Sequence, residues 1–258
     1  MRASDAKDFG HSGQITCQDD LQGLWKRVWI RSPSSDPTFE DHLTRVFWAQ
    51  SGAIYADLRI PLDRAVPEDA RCLADLDPPA LQGLMQAEGF AGTISVASGT
   101  CTWAREINWH GRPEGIDAGQ VWFDNNGDLI EDGIHSDYRE LWARVPLAPL
   151  RAERITAGGL TGILLHSDAM FLMGLGRPGA PATGPMLAAL EAGAIPVGLP
   201  AHFETEYAFG HWNGDRGIAD LCTNPFREGH CVLERRDGAW IRHATGFDGT
   251  AREMPVIT

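Results

Sequence analysis

The sequence predicts a mainly β protein made of two tandem antiparallel barrels that arose by internal duplication, each with one short helix. Many short segments alternate apolar with polar side chains, which is the pattern of strands that bury one face. Chain reversals are frequent, because the 258 residues include 29 Gly and 16 Pro. Landmarks of the first half also recur in order in the second half, which is the signature of a repeat.

The first half contains eight predicted strands: residues 24–31, 46–50, 54–60, 93–97, 102–109, 120–123, 129–134 and 138–145. Ser51-Gly52 and the Asn125 to Asp128 segment are suited to tight hairpin turns, since Gly and Asn accept positive φ. Two short helices are predicted at residues 78–88 and 185–192, because each begins with proline, spaces its leucines helically and stops before a glycine.

Four landmarks support the duplication. Residues 24–28 return as 141–145, residues 51–55 as 167–171, residues 79–81 as 185–187, and the turn at Gly127 as the turn at Gly238. Prolines within residues 146–149 interrupt a strand pattern and indicate a boundary there. The predicted organisation is an N-terminal extension over residues 1–22, a first barrel over 23–146 and a second barrel over 147–258.

Charge and cysteine content limit the partners and the compartment. The formal charge of -13, from 35 acidic and 22 basic residues, argues against nucleic acid and membrane surfaces as partners. The five cysteines are odd in number and include no C-x-x-C pair, which is typical of free thiols in a reducing compartment. No apolar run suits a signal peptide or a membrane span. We therefore expect a cytoplasmic protein.

The candidate ligand site lies inside the first barrel. In residues 102–109, period-two alternation puts Trp103, Arg105, Ile107 and Trp109 on one face, which is the predicted interior. A buried arginine requires a carboxylate or an anionic ligand, and Glu131 and Glu140 are the candidate partners. The same alternation gathers Tyr138, Glu140, Trp142 and Arg144. The candidate ligand-binding residues are Trp103, Arg105, Glu131, Tyr138, Glu140 and Trp142, and a purely structural buried ion pair is the alternative.

Trp25 is a candidate structural plug of the first barrel. The Gly23-Leu24-Trp25 segment has the Gly-x-Trp form found on the first strand of lipocalins, where the indole closes one barrel end and an arginine stacks over it. Direct contact with a ligand is the alternative role.

Other chemical motifs are weak. His202, His211, His230 and His243 with Cys222 and Cys231 are zinc-type ligands, but their spacing is poor, so no metal is expected. The Gly174 to Gly179 string has the G-x-G-x-x-G form without a helix opening from it, and no nucleophile motif occurs. Paired catalytic work by Glu131 and Glu140 has no support from their spacing. We expect no cofactor.

Several phrases resemble the Hri-type family of fungal and bacterial proteins. The phrases are residues 89–92 (GFAG), 103–105 (WAR), 117–119 (DAG), 131–133 (EDG) and 138–142 (YRELW), with looser similarity in the second half. Members of that family are two-barrel, lipocalin-like (calycin-like) proteins without an assigned activity. The resemblance implies the architecture and transfers no catalytic residue.

The expected function is binding of a small apolar or acidic ligand in the first barrel. The alternative is a protein-protein interaction module whose barrels are both filled by side chains, and an enzyme of unknown reaction is the third possibility. A lumen of about 300 Å³ or more with convergent polar groups favours the ligand hypothesis, whereas a filled lumen favours the interaction module.

Overall fold

The computed structural model describes residues 13–15, 17–32, 34, 39–113 and 115–258. These residues form two eight-stranded antiparallel barrels in tandem, one closed and one nearly closed, with few short helices. The predicted mainly β, two-barrel fold is therefore confirmed. Residues 1–12 of the predicted N-terminal extension lie outside the described residues, whereas its later part contributes to the first barrel.

The first barrel is an up-and-down meander that closes on itself. Its strands are β2 (Gly23–Ser32), β4 (Thr44–Ser51), β5 (Ile54–Pro61), β6 (Glu88–Ala97), β7 (Thr100–Asn108), β8 (Asp117–Phe123), β9 (Leu129–Gly133) and β10 (Arg139–Val145). Each strand pairs with the next one in this series, and β10 returns to pair with β2. Two short strands are added outside the ring: β1 (Gly13–Gln14) pairs with β8, and β3 (Phe39–Asp41) pairs with β2.

The second barrel repeats this meander. Its strands are β11 (Arg151–Ala157), β12 (Leu160–His166), β13 (Met170–Gly176), β14 (Glu206–Asn213), β15 (Arg216–Cys222), β16 (Cys231–Arg236), β17 (Ala239–Thr245) and β18 (Ala251–Val256). Neighbours in the chain pair throughout. Between the first and last strands, the bridge of Thr156 with Ile257 brings the barrel close to closure.

The helices lie between the third and fourth strands of each barrel. Helix α1 (Pro78–Leu84) precedes β6, and its first turn is capped by Asp77, whose carboxylate accepts from the Ala80 N–H at 2.9 Å. The second barrel has two helices at this point, α2 (Gly184–Glu191) and α3 (Leu199–His202), so the expectation of one helix per barrel is wrong there. Single 3-10 turns occur at Gln18–Leu21, Leu73–Asp75 and Pro225–Arg227.

Three of the four repeat landmarks fall at equivalent points of the two barrels. The turns after β4 and β12, the helices after β5 and β13, and the hairpins after β8 and β16 correspond. The match of residues 24–28 with 141–145 is wrong, because Leu141 to Val145 belong to β10, which closes the first barrel beside β2. Both strands carry an alternating Leu-Trp-x-Arg-Val pattern, and so short a similarity does not distinguish a first strand from a last one.

Three apolar clusters hold the fold together. One lies within the first barrel beside its cavity, one fills the second barrel, and the largest lies between the barrels and takes in α1 and α2. Strand β5 is buried on both faces, because Leu58 and Ile60 pack toward the second barrel while the intervening residues face the lumen. This two-sided burial explains why charged residues of β5 lie inside the protein.

Tyr207 of β14 joins the two barrels. Its hydroxyl donates to the Ile107 carbonyl of β7 at 2.9 Å, and the side chain is fully buried. Its ring lies between two glycines, and a methyl group at either Gly89 or Gly174 would come within 2.4 Å of the ring. The interface therefore depends on glycine at both positions.

A β-bulge divides β7 into two parts. Gly92 of β6 pairs with Arg105 and Ala91 pairs with Ile107, so Glu106 is an extra residue in the ladder. Trp103 consequently belongs to the core of the first barrel, whereas Ile107 belongs to the cluster between the barrels, as does Trp109 just beyond the strand. The prediction that Ile107 and Trp109 face the lumen is wrong, because the bulge reverses the alternation after Arg105.

Candidate functional site

The first barrel contains a cavity of about 360 Å³. It lies toward the end of the barrel where β5 stops and β6 begins, and its wall includes residues of all eight strands of the ring. All six candidate residues line it: Trp103, Arg105, Glu131, Tyr138, Glu140 and Trp142. The cavity exceeds the size of about 300 Å³ that distinguishes an open lumen from a filled one.

Alternation along the strands brings these side chains together. Glu140 and Trp142 point inward from β10, with Tyr138 just before it, and Trp103 and Arg105 do so from β7 before the bulge. Glycines make room for them, because a methyl group at Gly133 would lie 2.5 Å from the Tyr138 ring.

Arg105 pairs with Asp117, not with Glu131 or Glu140 as expected. Its Nε and Nη2 donate to Asp117 Oδ2 at 2.9 and 2.6 Å, and its guanidinium carbon lies 3.7 Å from the centre of the Phe90 ring. Asp117 starts β8, the strand next to β7, and is therefore nearer to Arg105 than a carboxylate of β9 or β10 is. The arginine is about one-fifth exposed, so the expected burial is only partial.

Glu140 lies at the centre of a buried ionic chain. Its Oε1 accepts from Arg27 at 2.8 Å and from Arg59 at 3.3 Å. Arg27 also donates to Asp41, and Arg59 donates to Asp57 at 2.9 Å. Each arginine therefore has two carboxylate partners, which offsets the cost of burying its charge.

Asp57 and Arg59 are site residues that the sequence analysis missed. They alternate with Leu58 along β5, a strand whose apolar residues face the other barrel. Burial raises the pKa of Asp57 to about 6, against the lowering effect of Arg59. The signal in the sequence that could have identified them is the presence of two charged residues inside an otherwise apolar strand.

Glu131 and Glu140 lie directly opposite each other on neighbouring strands. Like charges in this arrangement repel, and both side chains are nine-tenths or more buried. Burial, followed by repulsion from Glu140, raises the pKa of Glu131 well above its usual range. The Tyr138 hydroxyl donates to Glu131 Oε1 at 2.7 Å. Burial and the facing carboxyl group therefore favour the protonated form of Glu131, while Glu140 accepts hydrogen bonds from two arginines.

Several buried polar atoms of the cavity wall have no hydrogen-bond partner among the described residues. They are the indole nitrogens of Trp48 and Trp142 and the second carboxylate oxygen of Glu140. Buried polar groups are almost always paired, because an unmade hydrogen bond costs about 1–3 kcal/mol. A polar ligand or an ordered water that reached these atoms from the cavity would complete their hydrogen bonds.

Trp25 lies away from the cavity. Its indole is fully buried, its nitrogen donates to the Leu21 carbonyl at 2.8 Å, and the Arg144 guanidinium lies 4.2 Å from the ring centre. Arg144 is thus separate from the group of Tyr138, Glu140 and Trp142 with which it was expected. This geometry matches the plug arrangement inferred from the Gly-x-Trp segment.

The interior of the second barrel has a different character. Glu206 lies between Arg227 and Arg242, at 3.9 and 3.7 Å, and all three side chains are buried. The lumen is otherwise filled by an apolar cluster that includes Phe171, Met173 and Leu175. The first barrel is therefore the better candidate for a ligand site.

Among the residues that the structure describes, no three His, Cys, Asp or Glu side chains form a group that could hold a metal ion. Within the same residues, no helix is long and apolar enough to span a membrane. The glycine string from Gly174 runs out of β13 into a turn, and α2 begins only at Gly184, so the helix that a dinucleotide motif requires does not follow it directly.

Comparison of the chain with family models, with curated proteins and with solved structures gave no match in any of the three. The resemblance to the Hri-type family therefore stays a prediction. The phrases that carry it nevertheless share a location, because they supply eight residues of the cavity wall: Phe90, Trp103, Arg105, Asp117, Glu131, Tyr138, Glu140 and Trp142.

Proposed function

We propose that the first barrel binds a small polar molecule that both donates and accepts hydrogen bonds. The observation that carries this proposal is the cavity itself, together with unpartnered buried atoms in residues that line it, two indole N–H donors and one carboxylate acceptor. A hydroxylated ligand satisfies both kinds, since each hydroxyl is a donor and an acceptor. Trp103 and Phe90 supply apolar and aromatic surface for its carbon skeleton.

The charges of the cavity favour a neutral ligand over the acidic one first expected. The described lining residues include five carboxyl groups and two arginines. Both arginines, Arg59 and Arg105, already have carboxylate partners. An incoming carboxylate would compete with Asp57 and Asp117 and would meet the repulsion of Glu140, whereas a hydroxyl group meets no such cost.

The alternative of a protein-protein interaction module has support only in the second barrel, whose interior is packed. We further propose a lipocalin-like ancestry for both barrels and a cytoplasmic location. The location is supported by five free cysteines, which fit a reducing compartment.

The proposal is tested by native mass spectrometry of freshly purified protein and by quenching of tryptophan emission with a panel of small polyols, hydroxyketones and phenols. Trp142→Phe removes one unpartnered donor and should weaken binding by roughly 2- to 12-fold, the worth of one hydrogen bond. Trp240→Phe in the second barrel is the matched control and should leave the affinity unchanged. Absence of both a bound mass and any quenching contradicts the proposal.

A further inference from the structure

Two acidic residues face the cavity from opposite walls of the first barrel. Asp57 belongs to β5 and Glu131 to β9, and three strands separate β5 from β9 in either direction around the ring. Both residues line the same cavity, and their exposed fractions are 3% and 4%. A small molecule in the cavity would therefore lie between the two carboxyl groups.

The two carboxyl groups differ in protonation at neutral pH. Asp57 has a pKa of about 6 and is mostly ionised at pH 7, where Arg59 holds its Oδ1 at 2.9 Å. For Glu131 the protonated form is favoured, because burial and then the facing Glu140 raise its pKa well above its usual range. Environments that push two carboxyl pKa values apart separate a base from an acid, and such pairs occur at catalytic sites.

Donors near Glu131 suit a developing negative charge on oxygen. The Tyr138 hydroxyl donates a hydrogen bond to Glu131 Oε1. A carboxyl proton on the other oxygen, Oε2, is therefore available to a ligand. Trp48 and Trp142 add two buried indole N–H groups without partners among the described residues. Neutral donors held in place stabilise an oxyanion without reorganisation, which is a large part of enzymatic rate enhancement.

We propose that this cavity catalyses proton transfer on a small carbonyl compound, with Asp57 as the base and Glu131 as the hydrogen-bond donor to the carbonyl oxygen. The inference rests on the proposed binding function and adds a reaction to it.

The step is balanced without an oxidant or a second substrate. An Asp57 carboxylate oxygen takes a proton from the carbon next to the carbonyl group. The C–H electron pair forms the new C=C bond, and the π pair of the carbonyl group moves onto its oxygen. Glu131 and the indoles stabilise this enolate. While Asp57 carries this proton it exchanges it with solvent, and it then returns a proton to the same carbon as the enolate oxygen's electron pair re-forms the carbonyl bond.

The test measures hydrogen exchange in D₂O by proton NMR. The probes are the neutral carbonyl compounds dihydroxyacetone, glyceraldehyde, hydroxyacetone and phenylacetone, and their binding is followed in parallel by tryptophan quenching. We expect at least one probe that binds to exchange its α-proton faster than in buffer. Asp57→Asn should reduce the exchange rate by about 100-fold or more, the usual contribution of a general base. Glu131→Gln keeps a neutral donor and should lower it less.

The matched control is Asp220→Asn, which removes a carboxylate beside His211 in the second barrel, away from the cavity wall, and should leave the exchange rate unchanged. The rate should rise with pH through about pH 6 as Asp57 loses its proton. Arg59, Glu88 and Glu140 are the charged groups that act on Asp57, and Arg59 keeps the ionised form accessible.

The outcomes separate this inference from the binding proposal. Quenching without exchange, or exchange that persists in Asp57→Asn, contradicts catalysis and leaves binding intact. Failure of all four probes and of the wider panel to bind contradicts both. Exchange that is lost in Asp57→Asn while the quenching by the same probe is retained supports both.

Discussion

The contact of Tyr207 with Gly89 and Ile107 predicts strong energetic coupling across the two barrels. In Gly89→Ala the new methyl group would lie 2.4 Å from the Tyr207 ring, which is fully buried and has no room to move. Overpacking of this kind costs about 1–3 kcal/mol. Tyr207→Leu vacates the ring position and loses the hydrogen bond to Ile107, at a cost of roughly 3–5 kcal/mol. In the double variant the methyl group no longer meets the ring, so the overpacking cost should disappear.

The assay is urea unfolding of the wild type, both single variants and the double variant. The comparison requires that all four share the same m value, the slope of the free energy of unfolding against urea concentration. The double variant should be more stable than the sum of the single effects predicts by about 1–3 kcal/mol. Gly83→Ala is the matched control, because no atom lies within 4 Å of the added methyl group and Gly83 lies in α1. It should raise the free energy of unfolding by about 0.5–1 kcal/mol. Additive effects within about 0.5 kcal/mol would refute the reasoning.

Two further predictions concern titratable groups. The folded-state pKa of Asp57 is about 6 and lies above its unfolded value, so its contribution to the free energy of unfolding is present at acid pH and is lost as pH rises from about 4 to 6. Relative to Asp57→Asn, the wild type should lose roughly 3 kcal/mol across that range in urea unfolding, and parallel profiles would contradict the assignment. Only the two partly exposed thiols, Cys17 and Cys72, should react quickly with Ellman's reagent. The three buried thiols should react only when the protein unfolds, and a third fast thiol would be inconsistent with their burial.

The sequence was informative where local chemistry decides the structure. The hairpin turns at Gly52 and Gly127 and the proline-initiated helix at Pro78 lie where the turn and helix signals predict them. The lumen face of β10 followed from alternation alone, because Glu140 and Trp142 are two residues apart on a regular strand.

Other features depend on register and neighbours, which a single sequence does not specify. The partner of Arg105 is Asp117 because β8 lies beside β7 in the ring, and the distance along the chain does not reveal which carboxylate is nearest. Asp57 and Arg59 were overlooked because β5 carries apolar residues toward the other barrel, so its polar face is the lumen face. A barrel strand has an apolar outer face and a polar lumen face only where a second barrel covers its outer face.

The extra residue in β7 determines which side chains of the strand face the lumen and which face the other barrel. Because Glu106 shifts the alternation by one position, the first part of the strand supplies Trp103 to the lumen and the second supplies Ile107 to the interface. Removal of Glu106 would place Ile107 directly after Arg105, opposite Ala91, so the pairing would become regular while Ile107 stays on the interface face. An insertion or a second deletion beside it would instead reverse one part of the strand, so the cavity wall and the joint between the barrels are both sensitive to the length of this one strand.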